Sequence, residues 1–448
     1  MNSTESQERR ELSAFDIGCV VIGGIIGVGI FFTPKAVAAA VDSPQQVMLA
    51  WGLGGLLAVL GALVFAELSL RVPGHGGVYR YLESAFGRTT AFLYGWANWL
   101  VIQAGALGVV ALVLVDHLER VVMPEVPWAA GAKVAIAASL MVGFTLINVL
   151  GLRVGKRVQN ALIVLKVAAL AFLVWLAWVH PASGVPEPLP EPSGRSMPAM
   201  LAAAMLPVLF ATGGWQQGSF VAGAAKNRRS VPIGILGGVA VVIVTYMTVN
   251  LAYLDLLGFE KARTSPAIGA AAAEVALGAG GGRILAGMVV ISAAGILNTI
   301  CMAPPYVLYA MAQQGCFPKA FGKLHPRFHT PVLGVLGQGL WGVLLLLGVH
   351  AFVTWRGDGN TTDSLDFVCN GVVFVDWLFY GLCGLALLVL RRRDPGAQGR
   401  VPLGGLVGFL FAFGALVVTV GAFWTKAHAS ATGAVLVLLG LVVRRWLR

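Results

Sequence analysis

The sequence predicts an all-α polytopic membrane protein with about twelve transmembrane helices, at roughly 20 residues per span. Of its 448 residues, 58% are hydrophobic and only 11% are charged. A soluble domain of ordinary composition has about 25% charged residues. Long apolar stretches follow one another from residue 16 almost to the end, so a single membrane domain covering 1–448 is expected.

The spans follow from the apolar stretches between charged or proline-rich loops. A tail at 1–15 precedes the first span, and 402–448 holds the last two helices and a second tail. The predicted spans are 16–40, 48–72, 91–116, 129–150, 158–180, 199–222, 231–254, 283–311, 331–350, 367–391, 402–425 and 429–445.

The distribution of basic residues predicts the orientation. Of the 31 Lys and Arg, twenty-one fall on the side of both termini, nine fall on the other side, and Lys166 lies inside a span. Cytoplasmic loops carry such an excess, so both termini are expected in the cytoplasm, with the chain in a plasma or bacterial inner membrane. Topology therefore explains the net charge of +11 without a nucleic-acid partner.

Two glycine clusters interrupt the first and sixth spans, at 23–29 and 213–214. Glycines alone fit close helix packing through small-xxx-small pairs. Glycine also lets a helix unwind, which membranes tolerate only where the backbone faces protein or water. Paired interruptions in two halves of a chain indicate a transporter site at mid-membrane. We expect a five-plus-five inverted repeat, with halves at 16–180 and 199–391.

Several short motifs lie one after another along the chain. They are Gly27-x-Gly29-Ile30-Phe31, Ala66-Glu67-Leu68, Gly76-Gly77-x-Tyr79-x-Tyr81, Phe92-Leu93-Tyr94-Gly95-Trp96, Phe210-x-x-Gly213-Gly214-Trp215 and Phe374-x-Asp376-Trp377. In order and spacing the chain resembles the amino acid–polyamine–organocation permeases, specifically their L-amino-acid-transporter-like branch. The resemblance implies a LeuT-like fold whose first and sixth helices are discontinuous.

The two interruptions suit a zwitterionic amino acid. Backbone N–H groups at the unwound first span favour the carboxylate, and carbonyls ending the outer half of the sixth span suit the ammonium group. The expected substrate-binding residues are Gly27, Val28, Gly29, Phe210, Ala211, Thr212, Gly213 and Gly214. By resemblance, Phe210 also caps the substrate as a gate, and Trp215 is a second gate residue; ordinary aromatic packing is the alternative for both.

Lys166 lies in the middle of the fifth span, where a charge is costly and indicates function; a lysine reaching the interface is the alternative. In sodium-independent relatives, a lysine at this position replaces a bound sodium ion. The resemblance places its ammonium group beside the unwound first span and near Ser292 of the eighth. Tyr246 belongs either to the same network or to an aromatic lining. No metal and no cofactor are expected.

Two positions depart from the family pattern at the inner gate. Relatives carry acidic residues at the end of the sixth span, near Ala224, and an arginine where Tyr306 stands. If these charges pair in relatives, both partners are missing here together, which leaves no buried charge unpaired. Closure of the inner gate must then depend on other contacts.

The sequence thus indicates a secondary or facilitative transporter of small neutral L-amino acids, sodium-independent, working by exchange or proton-linked uptake. Neutrality follows from the lack of charged side chains in either interrupted segment; Glu67 and Asp376 remain possible proton relays. The alternative is a non-transporting sensor or a channel-like protein on the same fold. An enzyme is not expected, and the loop 117–128 has no cysteine for a disulfide-linked heavy subunit.

Overall fold

The computed structural model describes residues 11–123, 125–179, 194–357, 361–396, 399, 401–425 and 427–446, without the side chains of 361–372 and 425. These residues form helices and no β-strand beyond one isolated bridge. The helices are α1 (Ala14–Ile25), α2 (Thr33–Ala40), α3 (Pro44–Arg71), α4 (Val78–Phe86), α5 (Arg88–Ala97), α6 (Ala104–Val122), α7 (Ala130–Val149), α8 (Leu152–Val179), α9 (Met197–Thr212), α10 (Gln217–Phe220), α11 (Ser230–Thr264), α12 (Ile268–Leu277), α13 (Gly281–Met302), α14 (Pro305–Gln313), α15 (Val332–Arg356), α16 (Thr361–Arg393), α17 (Gly404–Thr425) and α18 (Ala427–Trp446).

Eleven stretches of the described chain are helical, long and apolar enough to cross a membrane. The predicted first span is the exception, because α1 has only 12 residues before the helix stops. A single turn of 3₁₀-helix (Gly29–Phe31) and the eight-residue α2 continue it. The all-α polytopic architecture is therefore confirmed, with its first span broken where the glycines predicted.

The start of α1 is fixed by a reciprocal cap. The Ser13 hydroxyl accepts from the Asp16 backbone N–H, and the Asp16 carboxylate accepts from the Ser13 backbone N–H. Such a capping box satisfies two amide groups that the first helical turn leaves unpaired. It also orients the entry of the chain at the end of the bundle nearest the N-terminus (the inner end), where Lys156 of α8 donates to the same carboxylate at 3.0 Å.

The sixth span is also discontinuous. Helix α9 ends at Thr212, and the short α10 begins at Gln217, after four intervening residues. Gly214 has a φ of +130°, a conformation that side chains with a Cβ rarely adopt. A Cβ there would lie 2.3 Å from the carbonyl oxygen of Gly24. The two interrupted spans therefore touch through glycine backbone, and neither glycine has room for a side chain.

A short inner segment ties the N-terminal end to the sixth span. Leu12 and Ala225 form the isolated parallel bridge, in which the Leu12 N–H donates to Ala224 at 2.9 Å and the Lys226 N–H donates to Leu12 at 2.8 Å. Leu12 is fully buried there. The inner ends of the first and sixth spans are thereby closed together.

Candidate functional site

A cavity of about 180 Å³ lies between the two interruptions. Of the expected substrate-binding residues, seven line it: Gly27, Val28, Gly29, Phe210, Ala211, Gly213 and Gly214. The rest of its wall comes from the π-helix at Asn98–Gln103, from α6, from the start of α10 with the residue before it, and from α13 and α16. These residues are Ile102, Gln103, Ala106, Val110, Gln216, Gln217, Ile296, Ile300, Val373, Asp376, Trp377 and Tyr380, with Gly24, Ile25 and Leu209 completing the wall. The two glycine clusters therefore indicated where the cavity lies, but the sequence prediction included wall residues from the first and sixth spans alone.

Two buried side chains hold carbonyl groups of the unwound first span. The Lys166 ammonium donates to the Ile26 carbonyl at 2.5 Å, and the Lys166 side chain is 1% exposed. The Ser292 hydroxyl donates to the Gly27 carbonyl at 3.0 Å. Each unpaired carbonyl group within a membrane destabilises the fold by roughly several kcal/mol. Lys166 and Ser292 therefore stabilise the unwound conformation from α8 and α13.

Tyr246 of α11 contacts both interrupted spans. Its hydroxyl lies 3.0 Å from the Ile25 carbonyl and 3.1 Å from the Ala211 carbonyl. The ring packs edge-on against Trp51, with centroids 5.5 Å apart. Of the two alternatives raised by the sequence, the structure places Tyr246 in the polar network around the first span.

The backbone groups without side-chain partners at the two interruptions are complementary to a zwitterion. The carbonyls of Ile25, Ile26 and Gly27 have side-chain partners, whereas a helical segment begins immediately afterwards at Gly29. The first N–H groups of a helical segment have no intrahelical acceptor and carry partial positive charge. The last carbonyls of α9, which ends at Thr212, carry the opposite charge. An anion and a cation can be bound here without a charged side chain.

Two expected residues lie elsewhere. The Thr212 hydroxyl donates to the Val208 carbonyl at 3.0 Å within its own helix, so this side chain is not part of the cavity wall. Trp215 is fully buried and packs against Tyr380 and Phe411, with ring centroids 5.5 and 6.1 Å away. By contrast, Phe210 lines the cavity and remains 48% exposed. Only Phe210 therefore has the position of a gate residue in this conformation.

A chain of buried amides supports the same region, and its Asn298 forms the cross-helix hydrogen bonds that a polar residue in the eighth span predicts. Asn298 donates to Gln159 at 2.8 Å and accepts from Asn148 at 2.9 Å. Gln159 donates to Thr299 at 2.8 Å and to the Cys19 carbonyl of α1 at 3.3 Å. Gln159 lies beside Asn160 and near Arg157, so its sequence context gives no comparable signal, and the pairing of these residues depends on tertiary packing. The network fastens α1 to α7, α8 and α13.

The charge environment of the cavity corrects one premise of the sequence analysis. Neutrality was inferred because neither interrupted segment contains an acid, yet Asp376 of α16 lies in the cavity wall beside Trp377 and Tyr380. Glu67 has a different role: it forms ion pairs with Arg71 and Arg391 and accepts from the Val401 N–H at 3.0 Å. Glu67 therefore joins the inner ends of α3 and α16.

Aromatic rings pack together in the region expected to form the inner gate. His75 and Tyr306 stack with ring centroids 4.4 Å apart and planes at 19°. A small inner cavity has both residues and Ala224 in its wall. The two positions that depart from the family pattern, Ala224 and Tyr306, are thus neighbours, and a stacked ring pair occupies this part of the gate.

Nearly the whole chain, including this cavity, matches a known family. A sequence profile described as amino acid permease covers residues 12–443. The chain belongs to the amino acid permease family. Membership covers both interrupted spans and every residue of the cavity wall, so the expected resemblance is confirmed and amino acid transport is the activity of this family.

Two relatives illustrate the family. The serine/threonine exchanger SteT of Bacillus subtilis is 26% identical over 94% of this chain and 94% of its own length. The mouse b(0,+)-type amino acid transporter 1 is 27% identical over 86% of this chain and 77% of its own length. Both are amino acid transporters by name, and the permease described here spans most of each.

A solved structure supports the fold independently. A mutant of the Eremococcus coleocola manganese transporter superposes with a TM-score of 0.60 and 13% sequence identity, covering 100% of this permease and 98% of that chain. At this identity the likeness concerns the fold alone. The LeuT-like arrangement of the amino acid–polyamine–organocation fold is confirmed.

Proposed function

We propose that this permease moves small neutral L-amino acids across a cell membrane by sodium-independent alternating access, through exchange or proton-linked uptake. The observation that carries the proposal is the contact between the Lys166 ammonium and the Ile26 carbonyl, 2.5 Å apart. A fixed positive charge already occupies the position from which a sodium ion would bind the unwound carbonyl. The substrate zwitterion then binds between the N–H groups at Gly27–Gly29 and the last carbonyls of α9.

The relatives support a transporter over the sensor or channel alternative, because their names describe exchange or transport. We propose further that 16–180 and 199–391 are the two inverted halves, that both termini are cytoplasmic, and that no enzyme activity is present. The loop 117–128 contains no cysteine. We therefore propose that no disulfide-linked heavy subunit is required.

The test is exchange in liposomes loaded with unlabelled amino acid. External labelled serine, alanine and leucine should each accumulate to the same level whether sodium or choline is the external cation. A panel of twenty unlabelled amino acids should compete with this uptake. Varying the pH gradient separates exchange from proton-linked uptake. Binding without accumulation would contradict transport, whereas an absolute requirement for sodium would contradict the role proposed for Lys166.

A further inference from the structure

The polar side chains of the cavity wall come from elements outside the first span. They are Gln103, Gln216, Gln217, Asp376 and Tyr380. Gln216 and Gln217 are 4% and 6% exposed, and the side-chain oxygen of each is buried without a hydrogen-bond partner among the described residues. Buried acceptors in native proteins are normally satisfied. Two unpaired acceptors bordering a cavity therefore indicate a ligand that donates hydrogen bonds.

A hydrogen-bond relay fixes which end of Gln217 is unpaired. The Tyr94 hydroxyl and the Gln103 amide both donate to the Asn98 oxygen, at 3.3 and 3.0 Å. Gln103 consequently presents its own oxygen to Gln217, whose amide donates to it at 3.4 Å. Because the amide nitrogen of Gln217 has this partner, its oxygen is the group left for a ligand. The π-helix at Asn98–Gln103, a feature frequent at functional sites, positions the relay.

Asp376 adds a third acceptor group to the same cavity; its carboxylate accepts a hydrogen bond from Tyr380 and has further acceptor capacity. Among the described residues, no Lys or Arg forms an ion pair with it. Acidic side chains within membrane spans are costly and mark substrate or ion pathways. The backbone poles of the first and sixth spans account for the carboxylate and ammonium of a substrate, so these acceptors face the remaining part of the molecule.

We propose that Asp376, Gln216 and Gln217 form a side-chain subsite, which selects amino acids whose side chain donates a hydrogen bond. The proposal rests on the function proposed above and adds a substrate class to it. A hydroxyl group and a terminal ammonium group share this chemistry. An apolar side chain of equal size offers these acceptors no donor, and sites of this kind discriminate strongly against such analogues.

The wild-type protein provides the first test, in competition with labelled serine exchange in liposomes. Threonine and valine have nearly the same shape, as do lysine and norleucine. Threonine should compete at least about tenfold better than valine if a hydroxyl is recognised. The same margin for lysine over norleucine would identify the ammonium as the recognised donor and would extend the proposed substrates beyond neutral amino acids. Equal competition within both pairs would overturn the subsite, whereas exchange of no amino acid at all would overturn the proposed function instead.

Two variants and a control assign the effect. Asp376→Leu should bring the donor-to-apolar ratio of each discriminated pair towards one, and Asp376→Asn, which keeps an oxygen acceptor, should retain part of the preference for threonine. Asp255→Asn, an exposed acid on α11, should leave both ratios unchanged. If Asp376→Leu lowers the exchange rate of every amino acid by the same factor, Asp376 contacts the ammonium group that all of them share, and the proposal is overturned.

Discussion

At the scale of single residues, fixed side chains hold the unwound turn of the first span. Lys166, Ser292 and Tyr246 come from three different helices and contact three successive carbonyls of one unwound turn. The turn is therefore held from one side by the protein. Its opposite side is left for substrate.

We expect Lys166→Met to lower transport about tenfold or more, because it leaves a buried carbonyl unpaired at a cost of about 1–3 kcal/mol. Methionine keeps much of the length without the charge. Initial rates of exchange in liposomes measure the effect. Lys133→Met is the matched control, since Lys133 pairs with Asp116 and Glu119 at the outer ends of α6 and α7. Equal rates in Lys166→Met and the wild type would exclude the proposed role.

Tyr306 tests the aromatic inner gate. Tyr306→Arg places a charge in a buried position where the acid lining the same cavity, Glu11, already pairs with Arg153. An uncompensated buried charge costs about 3–5 kcal/mol. We expect a large loss of uptake, whereas Tyr306→Phe should keep the stacking on His75 and most of the activity. Because Ala224 lines the same inner cavity, Ala224→Glu in the same chain should restore part of the uptake. Wild-type uptake by Tyr306→Arg would contradict this account.

At the scale of helices, the interruption of the sixth span depends on a backbone that only glycine adopts without strain. Gly214→Ala combines a φ of +130° with a contact of 2.3 Å to Gly24, so we expect transport to be lost. The positive φ alone costs roughly 1–2 kcal/mol. Gly237→Ala is the control, because a Cβ at that position of α11 meets open space. Uptake and thermal unfolding in detergent measure both.

The same helices show which features could be predicted from the sequence and which could not. Glycine clusters reveal where a span breaks, because backbone freedom is a local property of the residue. The rotation of α16, which brings Asp376 into the cavity, depends on packing against neighbours and has no local signal in an apolar span. The position of Trp215 has a related cause: after the turn at Gly214, the Trp215 side chain packs against Tyr380, which lines the cavity, and does not line the cavity itself.

At the scale of the whole molecule, the burial of His75 makes the stability of the fold depend on pH. His75 lies between α3 and α4, and burial lowers its pKa from 6.5 to about 4. The folded protein therefore binds a proton at His75 less readily than the unfolded chain does. Stability from this residue is complete above pH 6.5 and declines as the pH falls towards 4.

We predict that the melting temperature of the purified protein falls between pH 6.5 and pH 4. In His75→Phe, which keeps an aromatic ring to stack on Tyr306, the decline should be smaller. Thermal denaturation across this range in one detergent provides the measurement. A His75→Phe profile parallel to that of the wild type would assign the pH dependence to other groups.

The position of Tyr246 has a consequence for the transport cycle. A phenol carries a single proton, and its two acceptors, the carbonyls of Ile25 and Ala211, belong to different interrupted spans. At any instant, only one span receives the full hydrogen bond. When the spans separate, the hydroxyl keeps its hydrogen bond to the carbonyl of one span and loses the bond to the other. The surroundings of the Tyr246 ring therefore depend on which span has moved. A vibrational or fluorine label on this ring would distinguish the two halves of the cycle without a bound substrate.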